Sequence, residues 1–97
     1  MSPADGAWID TPAENPPTFR WGYRTGPRCT PTRFRLQVVD ADGALVWDER
    51  LDGDDRAWRP PRPFQNCNVY SWRIRAVGPG GAGRWSATQD LLVSYRC

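Results

Sequence analysis

Hydrophobic and polar residues alternate along several short stretches of the chain, and this alternation predicts β-strands. It is clearest in Val69–Val77 and Arg33–Val39, where every second residue is apolar, and it recurs in Thr18–Tyr23. A period of two directs alternate side chains to opposite faces of a strand, so the apolar positions are predicted to face a core, with Tyr23 in the same phase. The predicted core residues are Phe19, Trp21, Phe34, Leu36, Val38, Tyr70, Trp72, Ile74 and Ala76.

Ten prolines and nine glycines separate the alternating stretches. They leave no room for long helices, and the segments between them are rich in aromatic and β-branched residues, so these segments are predicted to be strands as well. The turn residues Asp40–Gly43 predict a hairpin between the strand at Arg33–Val39 and the next one. The other predicted strands are Ala7–Thr11, Ala44–Asp48, Arg56–Arg59 and Arg84–Tyr95.

Seven short strands in 97 residues predict an all-β fold with a single domain, residues 1–97. This length suits a β-sandwich of two antiparallel sheets, which typically has about 100 residues. A closed barrel of the same size is the alternative.

Composition argues against several classes of function. The chain has no histidine, so a Ser-His-Asp or Cys-His catalytic site cannot be built. Its three cysteines include no Cys-x-x-Cys pair and cannot complete a structural zinc site. The net charge of only +2 argues against nucleic-acid binding, and no apolar stretch is long enough to span a membrane. We therefore predict a protein that is not an enzyme and has no catalytic, metal or cofactor site.

Aspartates gather in two turns, where they suggest a calcium site. These turns, around Asp40 and Asp42 and around Asp52–Asp55, are consecutive. Consecutive turns lie at opposite ends of a sandwich, so the two groups cannot share one ion. Turn formation explains the aspartates better. Nothing in the pattern indicates a recessed pair of carboxylates of the kind that glycoside hydrolases use.

Three strands resemble those of fibronectin type III domains. Val69–Val77, followed by Gly83–Ser86, is similar to the sixth strand and the start of the seventh in bacterial members, which often read Tyr-x-Trp-Arg-Val-Arg-Ala and then Gly-x-Trp-Ser. Phe19–Trp21 resembles the second strand of the family and Phe34–Val38 the third. The likeness extends over residues 7 to 95 and implies a seven-stranded immunoglobulin-like sandwich. It concerns the fold more than the function.

The resemblance also implies a disulfide. In the family topology the last two strands form a hairpin, which here would turn within Gly78–Gly83 and place Val77 opposite about Ser86. The numbers of paired residues then sum to about 163, which makes Cys67 and Cys97 neighbours. Cys29 would then lie at the opposite pole of the sandwich, too far away for a bridge, and would be the odd thiol. Pairing of Cys29 with Cys67 remains an alternative, and so do three unpaired thiols. A bridge implies an oxidising compartment, outside the cell or at its surface.

Arginines occupy the outward positions of two strands that are neighbours in the family topology. They could form a face that binds an anionic surface, a sulfated glycan or an acidic protein partner. The alternative is a structural ladder, in which arginine stems and a tryptophan cover the sheet and pair with Asp48 or Glu49. The binding-face candidates are Arg33, Arg35, Arg73, Arg75 and Trp85.

Six tryptophans suggest a surface for sugar binding, because sugars stack on exposed indole rings. Trp21 and Trp72 fall on core positions, which leaves four candidates. A sugar platform requires two or three of them to be exposed and coplanar, whereas packing at the sheet edges is the alternative. The four are Trp8, Trp47, Trp58 and Trp85.

The expected function is therefore that of a non-enzymatic spacer or interaction module in an extracellular or cell-surface assembly. Such a module binds a protein partner or a neighbouring domain through its loops or a sheet face. The first ten residues contain no apolar segment of a secretory signal, which favours an alternative, a structural subunit of a virion or filament. A carbohydrate-binding module that uses exposed tryptophans is the third expectation.

Overall fold

The computed structural model describes residues 1–23 and 30–97, and this part of the chain forms two β-sheets. Apart from one turn of 3-10 helix at Pro12–Glu14, its regular structure is β. The strands in this part of the chain are β1 (Ala7–Ile9), β2 (Phe19–Arg20), β3 (Arg33–Asp40), β4 (Leu45–Asp52), β5 (Ala57–Trp58), β6 (Asn68–Gly78), β7 (Gly81–Ala82) and β8 (Gln89–Val93).

The larger sheet has the strand order β1-β8-β6-β3-β4, and β7 pairs with the end of β6. Its centre is the antiparallel pairing of β3 with β6, from Arg33 opposite Val77 to Asp40 opposite Tyr70. The smaller sheet contains β2 and β5. The prediction of purely antiparallel sheets is wrong at one edge, because β1 runs parallel to β8. The larger sheet has edges at β1 and β4, so it does not close into a barrel.

The core lies between the two sheets, and the period-two pattern identified most of it. Eight of the nine predicted core residues are buried, and Ala76 is half-buried and packs against the others. Tyr23, which shares the phase of this group, is exposed, although its ring meets that of Phe34 edge to face at 5.5 Å. The buried hydrophobic residues that the pattern did not identify are Ile9, Phe64, Leu91 and Val93.

The predicted last strand, 84–95, forms only at Gln89–Val93, and its register differs from the expected one. Paired residue numbers sum to 159 where Val77 faces Ala82, and to 161 where β8 pairs with β6. The register therefore changes between β7 and β8. In this segment the Ile74 backbone N–H donates to the Ser86 hydroxyl at 3.0 Å rather than to a backbone carbonyl of a neighbouring strand. The expected sum near 163 is therefore wrong.

Cys67 and Cys97 form a disulfide with Cα atoms 5.9 Å apart, the pairing that the resemblance implied. The strand register does not bring them together, because Cys67 lies beyond the start of β6 and Cys97 beyond the end of β8. The side chain of Asn66 joins the two ends instead. Its amide nitrogen donates a hydrogen bond to the Tyr95 carbonyl at 2.6 Å, and its amide oxygen accepts one from the Tyr95 N–H at 3.0 Å. Cys29 lies outside the described residues. Because Cys67 is bonded to Cys97, the alternative pairing of Cys29 with Cys67 is not formed.

Asn15 is a buried polar residue that fastens the segment before β6 to the amino-terminal part of the chain. Its amide nitrogen donates to the Phe64 carbonyl at 2.8 Å, and its amide oxygen accepts from the Phe64 N–H at 2.8 Å. The same amide nitrogen donates to the Tyr95 hydroxyl at 3.1 Å. One side chain thereby satisfies both backbone groups of a buried phenylalanine.

We expect Asn15→Ala to lower the free energy of unfolding by about 2–4 kcal/mol, because it leaves the backbone N–H and C=O of Phe64 buried without partners. Asn15→Asp should also destabilise, since a carboxylate accepts from the Phe64 N–H but cannot donate to its carbonyl. Urea unfolding measures both. Glu14→Ala, at the exposed neighbouring position, serves as the control, and equal stability of Asn15→Ala and Glu14→Ala would contradict the role given to Asn15.

Candidate functional site

The outward-facing side of the larger sheet, here called the outer face, carries the predicted arginines. Arg35 lies directly opposite Arg75 of β6 on one side and Arg50 of β4 on the other. Arg33 and Arg73 lie one position further along, towards opposite ends of the same face. Arg50 was not among the predicted residues, because the predicted strand ended at Asp48, whereas β4 continues to Asp52. Three arginines in one row repel one another, so the row stabilises the sheet less than mixed charges would.

Trp85 lies beside these arginines, and two guanidinium groups lie over its indole ring. The guanidinium carbon of Arg73 is 4.0 Å from the indole ring centre, and that of Arg75 is 4.3 Å away. Arg73 also donates two hydrogen bonds to the Gln37 side-chain oxygen, at 3.2 and 2.8 Å. These cation-π contacts and hydrogen bonds fix both arginine side chains on the sheet without neutralising their charges.

Arg35 is ion-paired with a carboxylate. It donates from Nε and Nη2 to the two carboxylate oxygens of Asp48, at 2.9 and 2.8 Å. This is the sole ion pair within residues 1–23 and 30–97. The alternative pairing with Glu49 is excluded by register, because Glu49 lies opposite Leu36 and therefore on the other face.

The hydrogen bonds from Arg35 hold the pKa of Asp48 below its ordinary value, which makes the pair sensitive to acid. Folding favours the ionised carboxylate of Asp48. Its stabilising effect is therefore present above the pKa of this group in the unfolded chain, near 3.9, and is lost as the pH falls through the lower pKa in the folded protein. We expect Asp48→Asn to cause a small loss of stability at pH 7, because exposed ion pairs contribute little. Thermal unfolding at pH 7 and pH 2 checks this: the two proteins should differ at pH 7 and converge at pH 2, and a constant difference would contradict it.

The other half of the outer face is apolar. Trp8 of β1 lies opposite Leu92 of β8, and Leu92 lies opposite Val69 of β6. These three neighbours are 61%, 39% and 44% exposed. They form a row across three strands, here called the apolar row, near the end of the sheet that carries the disulfide. The alternation in the sequence marks Val69 as outward, but it predicted no phase for Trp8 or Leu92.

Two polar contacts border the apolar row. The Ser71 hydroxyl donates to the Asp90 carboxylate at 2.8 Å, between the apolar row and the arginines. The indole nitrogen of Trp8 donates to the Ser94 carbonyl at 2.9 Å, so the ring of this exposed residue has a defined position. The outer face therefore consists of an apolar half and a cationic half on one sheet.

The structure does not bring the other candidate tryptophans together as a sugar platform. Trp47 and Trp58 meet edge to face, with ring centres 5.7 Å apart and planes at 74°. The Arg62 guanidinium lies over the Trp47 ring at 5.3 Å. The Trp85 ring is covered by arginine guanidinium groups, and Trp8 is the most exposed of the four candidates.

The aspartates of the two turns accept hydrogen bonds from the turns themselves. The Asp40 carboxylate accepts from the N–H groups of Asp42 and Ala44, both at 2.9 Å. In the other turn the Asp52 carboxylate accepts from the N–H of Asp54 at 2.9 Å. No group of three or more potential metal ligands lies together within the described ranges. The arrangement supports the explanation of these residues as turn-forming.

Among residues 1–23 and 30–97, no helix has the length and the apolar composition that a membrane span requires. Comparison of the chain with protein-family models, with curated proteins and with solved structures found no match.

Proposed function

We propose that this protein is a non-enzymatic interaction module that binds a protein partner through the outer face of its larger sheet. The observation that carries the proposal is the composition of that face. An exposed apolar row continues on the same sheet into arginines of which Arg33, Arg50, Arg73 and Arg75 have no carboxylate within ion-pair distance in the described residues.

The apolar row supports a protein partner more than a sugar or an ion. Adjacent large apolar side chains on a protein surface mark interaction sites, and interface cores are enriched in tryptophan and arginine. Three exposed apolar residues in contact positions on three strands are such a group, and the hydrogen bond from Trp8 to Ser94 holds its ring in place before binding. Little ordering entropy is then lost when a partner docks.

The charge of the neighbouring arginines favours a partner with an acidic surface. Arg73 and Arg75 are held against Trp85, and neither has a carboxylate within ion-pair distance among the described residues. A partner that covers the apolar row would bring its next residues over these arginines, where carboxylates are attracted and basic residues repelled. The electrostatic part of the face would supply specificity and the apolar part most of the affinity.

The proposal includes membership of the fibronectin type III fold class, with seven principal strands. Two sheets that enclose one core around Trp72 support it, and so does Trp85-Ser86 beside β6. On this interpretation β7 and β8 are two parts of one interrupted last strand. The described chain measures 49 × 25 × 21 Å, an elongated shape that suits a spacer between neighbouring domains. The disulfide supports an extracellular or cell-surface location.

The test uses the wild type and matched variants as bait and compares the proteins that each captures from an extract of the source organism. Trp8→Ala and Leu92→Ser remove the apolar row. Val46→Ser is the control, since Val46 is also apolar and 39% exposed, the same as Leu92, but lines a separate hollow with Trp47 and Phe64. We expect a protein that binds the wild type and Val46→Ser, and whose capture falls at least about tenfold with each outer-face variant, as the loss of a central apolar contact predicts. Equal capture by all variants would contradict the proposal.

A further inference from the structure

The open edge of the larger sheet at β4 is long enough to accept a further strand. β4 pairs with β3 on one side, and no described residue pairs with it on the other. It has eight residues, whereas β1, which forms the opposite edge, has three. β4 also contains no proline, the residue that most directly prevents pairing at a sheet edge. Of the two edges, β4 is therefore the one that an added strand fits better.

The backbone groups of two residues in β4 face this open side. The Gly53 N–H donates to the carbonyl of Thr32, next to β3, at 3.2 Å, whereas the Asp52 N–H donates to a side chain of the following turn at 3.1 Å. In a strand the backbone groups of successive residues point to alternate sides. Those of Arg50 and Asp48 therefore share the direction of Asp52 and point away from β3, where an added strand can pair with them.

Two neighbouring charges of β4 lie on opposite faces of the sheet without an ion-pair partner among the described residues. Arg50 is exposed on the outer face, whereas Glu49 is half-buried and lies opposite Leu36 on the inner face. Opposite charges on paired strands stabilise a sheet and like charges destabilise it, so an acidic residue fits beside Arg50 and a basic one beside Glu49. The inward residues Trp47 and Leu51 are also half-buried, and apolar side chains fit beside them.

A second copy of β4 does not supply this pattern. Antiparallel pairing through the open sides places Asp48 and Arg50 of one copy opposite even-numbered residues of the other, and Glu49 opposite odd-numbered ones. The odd-numbered residues of β4 are Leu45, Trp47, Glu49 and Leu51, and none of them is basic. Glu49 would stay without a cation in every such register, and an inward-pointing charge on an edge strand opposes pairing that does not neutralise it. A different chain fits this edge better.

We propose that β4 binds an extended segment of the protein partner as an additional antiparallel strand, in which an acidic residue beside Arg50 is followed by a basic residue beside Glu49. Backbone hydrogen bonds with Asp48 and Arg50 hold the segment, and the two charge pairs select it. Its acidic residue lies on the outer face, next to the cationic half. The inference rests on the proposed function, because it describes one segment of the partner that this face binds.

The test adds two peptides of the same composition to the isotope-labelled protein and follows its backbone amide signals by NMR. The first, acetyl-Thr-Val-Glu-Lys-Thr-Val-Thr-amide, can place glutamate beside Arg50 and lysine beside Glu49; the second has these two residues exchanged. We expect the first peptide, at millimolar concentration, to move the Asp48 and Arg50 amide signals downfield in a saturable way, as new hydrogen bonds require. The second should bind at least about threefold more weakly, because both charge pairs become repulsive.

A double variant exchanges the two charges of β4 and keeps the net charge of the protein. Glu49→Lys combined with Arg50→Glu should reverse the preference, so that the second peptide binds better than the first. A third peptide, the first with an N-methyl group on its glutamate, lacks the N–H that meets the Arg50 carbonyl and should bind the wild type about tenfold more weakly. The Trp72 indole signal reports whether the variant keeps its fold.

Four results would overturn the proposal: no saturable shift at Asp48 and Arg50, equal binding of the first two peptides, an unchanged preference in the double variant, or undiminished binding of the methylated peptide. A dimer of the free protein that the double variant loses would show that a second copy occupies the edge, and would overturn it too.

These outcomes leave the capture experiment unaffected. A partner captured through the apolar row without any response of β4 to the peptides removes the strand site alone. A response of β4 in a protein that captures nothing through the apolar row removes the proposed function instead.

Discussion

Replacing both Cys67 and Cys97 with serine should lower the free energy of unfolding by about 3–4 kcal/mol, the value that the chain-entropy model gives for a closed loop of this length. The bridge joins residues 30 positions apart and restricts the unfolded chain more than the folded one. Because small domains are stable by only about 5–15 kcal/mol, this loss is a large part of the total. Urea unfolding of the wild type and the double variant measures it.

Reduction provides the control for the disulfide. A reductant should bring the wild type to the stability of the double variant and should leave the double variant unchanged. A double variant as stable as the oxidised wild type would show that the contacts of Asn66 with Tyr95 hold this end of the sheet without the bridge.

Replacing Trp72 with alanine should cost about 3–5 kcal/mol, the range found when a large buried aromatic residue is truncated. Trp72 is 1% exposed, and its ring meets that of Phe19 edge to face at 5.0 Å across the two sheets. Its indole nitrogen donates to the Pro3 carbonyl at 3.1 Å. The substitution therefore leaves a cavity and an unpaired buried carbonyl together.

Two further variants make this result interpretable. Trp72→Phe fills most of the cavity but cannot donate to Pro3, so its loss of stability should be smaller than that of Trp72→Ala. Trp8→Ala removes the same side chain from the outer face and should change the unfolding free energy little, as exposed substitutions do. If Trp8→Ala and Trp72→Ala destabilise equally, the assignment of the two faces is wrong.

The strongest alternation in the sequence predicted the centre of the fold. In β3 and β6 the apolar residues stand at every second position, and a sheet with one buried face forces them inward. Burial of Leu36 and Trp72 follows from that phase alone. The register between these strands and the last one did not follow, because it depends on the hydrogen bond to Ser86 and on the chain between β7 and β8.

Other parts of the core lie where periodicity carries no information. Phe64 follows a proline-rich segment outside the strands, and its backbone groups form two hydrogen bonds with the side chain of Asn15, 49 residues earlier. Such a contact between distant irregular segments has no local signature. The bridge between Cys67 and Cys97 was expected, but from the likeness to a family and through a register that proved wrong.

The candidate site was predicted in part. The outward phase of Arg73 and Arg75 could be read from the sequence, and their proximity to Trp85 was expected from the topology of the family that the sequence resembles. The apolar row could not, because Trp8, Leu92 and Val69 come from three separate strands and only their pairing makes them neighbours. The charges at the open edge of β4 were not identified either, because the predicted strand ended at Asp48.

Both proposals depend on a sheet with one enclosed face, which contains Trp72, and one open face, which presents Trp8. The most direct test adds a soluble paramagnetic agent to the labelled protein and measures the broadening of each tryptophan indole N–H signal. The Trp8 signal should broaden strongly and the Trp72 signal hardly at all, as exposures of 61% and 1% require. Broadening of Trp72 equal to that of Trp8 would contradict the two-layered arrangement and the outer face with it.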